Sequence, residues 1–337
     1  MTRRWMFGGL AVLFLGLVLS AAPAAQEAGP ETNPLWREEK IKNYLPHMRW
    51  PEVRDLLTRS DIVLIPVASI EQHSLHAPMG NDFFLGVETS KLIAQRTDVL
   101  VAPILMVGQS PYHTGFPGSI TLSGETIQRV YFEAAQSFIK QGFKRFIFYN
   151  SHTGNTDITN FVVDRINQET EAVAIELGEG VSAMRQASGG GRGQGGRGAG
   201  AGRGGQGAPA ERPFDRHGGV GETSRGLYLF PTLIDLDRAE VATLTIPPRL
   251  QPLFQLVKTG DPVATLIFLT EALKDEATGK QTSTAELTST GSWSERNPAE
   301  ATVEQGRRQT EAFVDGAVAF IERWKELRPM GSGAGTR

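Results

Sequence analysis

Acidic and imidazole side chains are concentrated between Ser69 and Asp82, directly after an apolar run that predicts a buried strand. Glu71 and His73 stand two residues apart, so in an extended stretch their side chains point to the same side. A carboxylate and an imidazole on one side of the chain suit a zinc, manganese or iron ion. Asp82, at the start of the next predicted helix, could be a further ligand that bridges two metals. It could instead cap that helix, as Asn81 could. Because Glu71 and His73 are close in the sequence, we favour a role of Asp82 as a metal ligand.

The segment Tyr149–Asn155 also follows a predicted strand directly, and it contains His152. In an open parallel sheet, ligands bind outside the carboxyl ends of the strands. We therefore expect His152 to lie at the same sheet edge as Glu71 and His73 and to be a further metal ligand. A lone histidine after a strand is more often a hydrogen-bonded structural residue. Because two strand ends carry such side chains here, we favour a role of His152 as a metal ligand. Asn150 could orient this loop.

Two further segments contain histidines after predicted elements. In the segment His217–Ser224, Glu222 lies near the start of a predicted helix. It could be another metal ligand or an acidic residue favoured by the helix dipole, and the sequence leaves both open. His217 could transfer a proton or contact the substrate. The turn-rich segment 108–122 predicts a pocket-lining loop or a plain structured turn; in it, the candidate substrate contacts are Ser110 and His113.

Five of the six histidines fall in these four segments, and the remaining one is His47. Apolar runs and helical spacing around the segments predict alternating strands and helices with short connections. The predicted strands are 62–67, 99–106, 145–149 and 172–177, and the predicted helices are 82–96, 124–142, 154–168 and 299–327. Such alternation indicates parallel βαβ units and a layered α/β domain.

The composition limits the classes of function and the kinds of metal site that are possible. The chain has 337 residues, of which 40% are hydrophobic and 21% charged, enough for one large domain or two small ones. Its formal net charge of -3 gives no indication of nucleic-acid binding. Because there is no cysteine, disulfides, thiolate metal sites and a cysteine nucleophile are excluded. Any metal must therefore be held by nitrogen and oxygen ligands.

The first 25 residues have the pattern of an export signal. Arg3 and Arg4 precede an apolar run over about residues 5–19, and Ala22-Pro23-Ala24 fits the small-x-small cleavage pattern. We expect a periplasmic or secreted protein, exported by the general route or by the twin-arginine route, without a membrane segment after cleavage. An uncleaved anchor is the alternative, although the run is shorter than a membrane-spanning helix needs. Residues 26–50 predict an irregular lead-in, and 328–337 a flexible tail.

Residues 188–210 are dominated by glycine, with three interspersed arginines and almost no apolar side chains. Such a stretch cannot bury enough surface to offset the entropy cost of ordering it. We therefore expect a disordered surface insertion at 188–210. The alternative is a polyanion-binding segment, in which case the protein would be an exported, non-catalytic binding protein.

Four motifs together resemble the creatininase (creatinine amidohydrolase) family. Residues 69–78 with Asp82 resemble its S-x-E-Q-H-G-x-H-L-P…D signature, and residues 116–122 its F-P-G-T-I-T-L element. Residues 150–155 are similar to its N-G-H-G-G-N element, and residues 217–224 to its H-A-G-x-x-E-T-S element. The motifs occur in family order and place a creatininase-like hydrolase domain at 51–327, interrupted by the insertion.

The resemblance implies a three-layer α/β/α fold with a mostly parallel sheet and a site for two divalent metal ions, zinc with manganese or iron. It implies that Glu71, His73, Asp82 and His152 are ligands, with Asp82 bridging. In creatininase itself a glutamate ligand stands where this chain has Gly154, and Glu222 is the expected substitute.

The resemblance also bears on the substrate. A tyrosine that contacts creatinine is replaced by Thr153, and the usual glycine after E-Q-H by Ser74. These departures weaken creatinine as the substrate but leave the expected class, hydrolysis of a C–N bond in an amide, lactam or formamide. The family also includes formamide hydrolases and a peptidase, and its members are often hexamers.

These observations give one mechanistic hypothesis for a small amide substrate. Water activated at the metal centre attacks the carbonyl group, and His217 gives a proton to the leaving nitrogen. Ser110, His113 and Thr153 would contact the substrate. Gln72, His76 and Asn150 would orient the ligands. A structural metal site closed by protein ligands is the alternative to a catalytic one.

Overall fold

The computed structural model describes residues 38–104, 107–188, 213–272 and 284–331. The fold lies within the unit that begins at Lys40. The predicted export signal, the first part of the lead-in, nearly all of the Gly/Arg-rich insertion and the end of the tail lie outside the described residues. No helix in these ranges is long and apolar enough to cross a membrane.

Four parallel strands form the central sheet, in the order β2-β1-β3-β4. Their bounds are β1 Ile62–Val67, β2 Leu100–Val101, β3 Arg145–Asn150 and β4 Val173–Glu176. The register pairs Val67 with Asn150, so the two central strands end at the same level. The predicted α/β fold with a mostly parallel sheet is therefore confirmed.

Nine α-helices of the described ranges surround the sheet or follow it. They are α1 Trp50–Leu57, α2 Asn81–Arg96, α3 Gly124–Gln141, α4 Thr156–Glu169, α5 Leu177–Ala187, α6 Val220–Leu229, α7 Gln251–Lys258, α8 Pro262–Ala272 and α9 Val303–Leu327. Alternate residues of the central strands point to opposite faces. Val63, Ile65 and Phe148 pack with α1, α3 and α4, whereas Ile62 and Leu64 pack with α2, α5 and α9. The molecule thus has the expected three layers.

A third apolar cluster lies in the chain after the insertion. It is built from α7, α8 and the surrounding loops around Phe214, Phe254, Phe268 and Trp293. The sequence patterns did not predict α1, α5, α7 or α8. This cluster matters for the site because the loop after it, at 284–293, returns to the end of β1.

Several predicted bounds are corrected by local chemistry. The predicted strand 99–106 is a strand over Leu100–Val101, and it stops before Pro103, which has no N–H to continue a ladder. The predicted helix 154–168 begins at Thr156, after a 3-10 turn. The last helix begins at Val303 because Thr302 caps it by accepting a hydrogen bond from the Gln305 N–H.

Candidate metal centre

The ends of β1 and β3 bring together the side chains that the sequence singled out. Glu71, His73, Asp82 and His152 are each at most 5% exposed, a degree of burial that charged groups reach only with partners. Glu71 and His73 follow β1, and His152 follows β3. The predicted placement of these residues at one sheet edge is therefore what the structure shows.

Asp82 lies between two imidazoles. Its Oδ1 is 3.2 Å from His73 Nε2, and its Oδ2 is 3.0 Å from His152 Nδ1. Ser69 Oγ donates a hydrogen bond of 2.6 Å to Oδ2 and fixes the carboxylate. The N-cap of α2 is Gly80, without a side-chain cap, so the capping alternative for Asp82 is not realised. A carboxylate with one oxygen toward each imidazole is suited to bridge two cations.

Backbone carbonyls fix the orientation of three histidines. His73 Nδ1–H donates to Glu71 O at 3.2 Å, and His152 Nε2–H donates to Gln109 O at 3.1 Å. His217 Nε2–H donates to Gln72 O at 2.6 Å. Because a carbonyl can only accept, the other nitrogen of each neutral ring has its lone pair free. Metal-ligating histidines are commonly held by such bonds.

The free lone pairs and the carboxylate oxygens form three groups that could each hold an ion. The groups are Glu71, His73 and His217; Glu71, Asp82 and His152; and His73, Asp82 and Glu222. Both oxygens of Glu71 and the Nε2 of His73 are buried without a hydrogen-bond partner. Ligand atoms around one zinc ion lie about 3–3.5 Å apart, close to the 3.0–3.3 Å separations among Asp82, Glu71 and the histidines. The residues therefore fit a centre for nitrogen- and oxygen-preferring divalent cations.

Charge compensation dominates the electrostatics of this cluster. Burial alone would raise the pKa of Glu71, but the charge of His152 lowers it to about 2. Burial alone would lower the pKa of His73, but the Asp82 carboxylate raises it to about 9. The pKa of His152 is likewise raised, by Glu71, against the effect of burial. In the metal-free protein, protons on the histidines thus compensate the buried carboxylates.

Glu222 reaches the cluster from the first turn of α6. Its Oε2 accepts a hydrogen bond of 2.8 Å from the Gly218 N–H and is 3.8 Å from His73 Nε2. Burial raises the pKa of Glu222 to about 7, and the charge of His73 offsets part of that effect. The side chain is 30% exposed, so solvent and a nearby cation would both favour its charged form. Glu222 thus lies in the first turn of α6 and also within reach of the cluster, and its role as a metal ligand stays a prediction.

Gly154 has no room for the glutamate side chain that the resemblance implies at this position. A Cβ at this position would lie 2.3 Å from the Tyr112 hydroxyl, 2.3 Å from His152 Nε2 and 2.6 Å from Gln109 O. Tyr112 therefore fills this corner, and its hydroxyl is 3.3 Å from His152 Nε2. Sequence reasoning did not single out Tyr112 or Gln109, although both flank predicted contact residues.

The predicted orienting residues all lie next to the cluster but do different things. Asn150 Oδ1 accepts a hydrogen bond of 3.1 Å from the His152 N–H. His76 Nε2–H donates to Thr223 Oγ1 at 2.8 Å and thereby ties the motif after β1 to α6. Gln72 contacts both His113 and His217. Positioning of the ligands by these residues remains a prediction that the geometry favours.

The predicted substrate contacts differ in how close they lie to the cluster. Ser110 Oγ is 3.3 Å from His152 Nε2, and His113 Nε2 is 3.5 Å from Glu71 Oε1, so both border the centre. Thr153 is exposed in the 3-10 turn that follows His152. Its position at the rim is compatible with a contact to a bound molecule but not with a role inside the cluster.

Comparison with known proteins gives the family. The sequence model of the creatininase family, described as creatinine amidohydrolase, matches residues 46–321. The chain belongs to the creatininase family. The predicted resemblance to this family is confirmed by this match.

Three relatives show how broad the similarity is. A 3-dehydro-scyllo-inosose hydrolase of Thermotoga maritima is 27% identical over 219 residues, 65% of this chain and 65% of that protein. Thus the alignment spans just under two thirds of that relative's length. A creatinine amidohydrolase of Pseudomonas putida is 28% identical, covering 61% of this chain and 79% of its own. A mycofactocin precursor peptide peptidase of Mycobacterium ulcerans is 24% identical, covering 78% and 85%.

Solved structures agree with the fold. A crystal structure of creatinine amidohydrolase superposes with a TM-score of 0.58 at 21% identity, covering 86% of this chain and 98% of that one. A manganese form of creatininase superposes with a TM-score of 0.56 at 22% identity, again over 86% of this chain and 99% of the other. At this identity, the match supports the three-layer architecture.

Proposed function

We propose that this protein is a metal-dependent hydrolase that cleaves a C–N bond in a small amide, lactam or formamide. The observation that carries the proposal is Asp82, whose two oxygens face His73 and His152 in a buried cluster where neither oxygen of Glu71 has a hydrogen-bond partner. Divalent cations at such a site polarise a substrate carbonyl and lower the pKa of water, so that water is a nucleophile near neutral pH. Zinc and manganese are the cations named for creatininase structures.

The residues divide into two sets that share Asp82. Glu71, Asp82 and His152 would hold one cation, and His73, Asp82 and Glu222 the other. His217 presents an unprotonated Nδ1, 3.7 Å from Glu71 Oε1, while its Nε2–H is bound to Gln72 O. An imidazole held in this way can take a proton at Nδ1 and pass it to the leaving nitrogen. Burial lowers the pKa of His217 well below its usual value in the metal-free protein, so it starts as the base.

Metal analysis combined with turnover tests this proposal. We expect about two zinc or manganese ions per chain and hydrolysis of at least one member of a panel of lactams, formamides and short peptides, lost on chelation and regained on metal addition. Asp82→Asn keeps the shape but removes the shared charge, so it should lose most bound metal and all measurable turnover. An Asp82→Asn protein that keeps its full metal content would show that the assignment of ligands is wrong.

A peptide substrate is the second candidate. Several relatives are named as mycofactocin precursor peptide peptidases, and alignments with them reach 80% of this chain. Moreover, the space next to His152 is filled by Tyr112 rather than by a side chain at residue 154, a departure from creatininase itself. The panel separates the two candidates, because a peptidase would cleave internal peptide bonds and leave lactams intact.

We further propose that the protein is exported through its N-terminal segment and acts as a homo-oligomer in the periplasm or outside the cell. Fractionation of cells that produce the full chain, with mass spectrometry of the mature N-terminus, tests the export. Cleavage after about residue 24 or 25 supports it, and an intact N-terminus in the cytosolic fraction contradicts it. Light scattering of the purified protein gives the oligomeric state.

The Gly/Arg-rich insertion supplies the rival function, a non-catalytic binding protein. Deletion of residues 189–208 separates the two. A hydrolase should keep its metal and turnover without this segment, whereas a polyanion-binding protein should lose retention on heparin. We expect the deletion to leave metal content and turnover unchanged.

A further inference from the structure

Gln72 contacts two histidines beside the metal centre, His113 and His217, through different groups. Its side-chain amide has a fixed orientation, because Oε1 accepts a hydrogen bond of 2.9 Å from the Ser74 N–H. Ser74 has a left-handed backbone (φ 66°) in this turn. Since an amide nitrogen only donates, the opposite side of the Gln72 amide supplies two protons and accepts none.

Both protons of Gln72 Nε2 have acceptors. One is Gly291 O, at 2.9 Å, and the other is His113 Nδ1, also at 2.9 Å. Gly291 is at φ 90°, and a Cβ there would lie 2.0 Å from Gln72 Oε1, so this approach requires glycine. His217 Nε2 is 3.1 Å from the same nitrogen, but its own proton is donated to Gln72 O. The amide therefore donates to His113.

It follows that His113 accepts at Nδ1. Thr284 Oγ1 lies 2.9 Å from the same nitrogen and confines the ring, while the single lone pair of Nδ1 is taken by the Gln72 amide. A neutral His113 then has its proton on Nε2, which is directed to Glu71 Oε1 at 3.5 Å. That separation is long for a hydrogen bond, and both Glu71 oxygens lack a hydrogen-bond partner. The Nε2–H thus remains available at the centre.

This orientation is the reverse of the one in His73, His152 and His217. In their neutral form those three rings donate outward to backbone carbonyls, and the lone pair of the other nitrogen faces the centre and is open to a metal ion. His113 presents a proton instead, and it belongs to none of the three groups that could hold a metal within the described ranges. His113 is 3% exposed, so water does not compete freely for this proton.

We propose that His113 is a fixed, neutral hydrogen-bond donor to the substrate: its Nε2–H binds the oxygen of the scissile carbonyl and stabilises the negative charge that develops there. Gln72 and Thr284 are the residues that position it. Donors held in place before the reaction stabilise such charge without a cost of reorganisation. The proposal rests on the proposed function, since it assigns a role in carbonyl hydrolysis at the same site.

The tautomer can be measured directly. Long-range ¹H–¹⁵N NMR of histidine rings separates Nε2–H from Nδ1–H forms, and His113→Phe and His47→Phe assign the two signals. We expect His113 in the Nε2–H form in both the metal-free and the zinc-loaded protein, with no shift to a metal-bound value. His47 lies outside the cluster, where its Nδ1 accepts from the Ile41 N–H, and is the matched control. A proton on His113 Nδ1, or zinc ligation by His113 Nε2, would overturn the proposal.

Acetohydroxamic acid, which binds metal ions through its carbonyl and hydroxamate oxygens and so places a carbonyl oxygen at the centre, tests the donor on the zinc-loaded protein. We expect His113→Phe to keep its metal, to bind acetohydroxamate about tenfold or more weakly, and to lose kcat more than it changes KM on the substrate that the panel identifies. His47→Phe should behave as the parent protein does. Unchanged acetohydroxamate affinity in metal-replete His113→Phe would refute the role. If the parent protein binds metal but hydrolyses nothing in the panel, the proposed function fails, while the tautomer and the acetohydroxamate titration still decide this inference.

Discussion

Replacement of Gly154 by alanine should damage the metal centre, although the change adds one methyl group. The added Cβ would lie 2.3 Å from His152 Nε2 and 2.3 Å from the Tyr112 hydroxyl, more than 1 Å inside ordinary contact distance. Tyr112 is packed edge-on against His113, with ring centroids 4.7 Å apart, and cannot retreat without moving that ring. His152 is therefore the group expected to move.

The expected loss of metal affinity follows from the position of His152 in the centre. Its Nδ1 lies 3.0 Å from Asp82 and 3.3 Å from Glu71, so a shift of about 1 Å removes it from the ligand set. Disturbing a residue that holds a metal ligand typically costs about 10–100-fold in metal affinity. The overpacking itself should cost about 1–3 kcal/mol in the free energy of unfolding.

A metal-competition titration and urea unfolding of the metal-free protein measure the two effects separately. Gly221→Ala is the matched control, because it stands beside Glu222 but a Cβ there meets nothing within 4 Å. Within α6 that change should be neutral or stabilise by about 0.5–1 kcal/mol. If Gly154→Ala binds metal and unfolds like Gly221→Ala, then the predicted crowding of His152 by the added methyl group is refuted.

Three further variants test other parts of the structure. Glu222→Gln keeps the hydrogen bond from Gly218 but removes the charge near His73, so metal content should fall from about two ions to one, by elemental analysis. Burial raises the pKa of Glu176; such a carboxyl costs stability above its raised pKa, and this cost disappears as the pH falls, so Glu176→Gln should gain stability in urea at neutral pH and lose that advantage in mild acid. Gly306→Ala would place a Cβ 1.8 Å from the carbonyl oxygen of α6 residue 224, so it should destabilise the fold by about 2–3 kcal/mol or more, measured by the same unfolding experiment.

The sheet edge of the site could be predicted because it depends on local patterns. Apolar runs identify β1 and β3, and the pairing of Val67 with Asn150 is what parallel strands of similar length give. Glu71 and His152 follow those strands within a few residues, so their convergence needs no knowledge of the remaining chain.

The role of Glu222 could not be predicted from local patterns in this way. It stands 151 residues after Glu71 in the sequence, and its place depends on how α6 packs against α2 and α9. That packing includes a direct approach of Gly306 to the α6 backbone. A first-turn acidic residue and a metal ligand look the same until that tertiary contact is known.

Helix α5 was missed because tertiary packing overrides its local preference. Gly178 and Gly180 disfavour a helix by about 1 kcal/mol each. A Cβ at Gly180, however, would lie 2.7 Å from the Phe320 ring of α9, so glycine is what allows the two helices to pack. Helix α8 was missed for another reason: residues 262–272 are apolar on most sides, so they show no helical period.

The orientation of the imidazoles is the part of the site that motif and spacing leave entirely open. A histidine can be a ligand, a base or a donor according to which nitrogen meets a backbone carbonyl, and the carbonyls of Glu71, Gln72 and Gln109 make that choice for three rings. The E-Q-H run therefore contributes more than its two ligand side chains. It supplies two of these carbonyls and, through the Gln72 amide, the donor that reverses His113.

The same bonds explain how so many charged groups remain buried together. Without a cation, Glu71 and Asp82 retain protons on His73 and His152, whose pKa values are raised against the effect of burial. A cation held at those nitrogens would displace these protons and take over the compensation, so metal binding exchanges one buried positive charge for another. His113 is outside this exchange, because its lone pair is already occupied by Gln72. The fold thus separates the imidazoles that give up a proton to the metal from the one that keeps its proton for another partner.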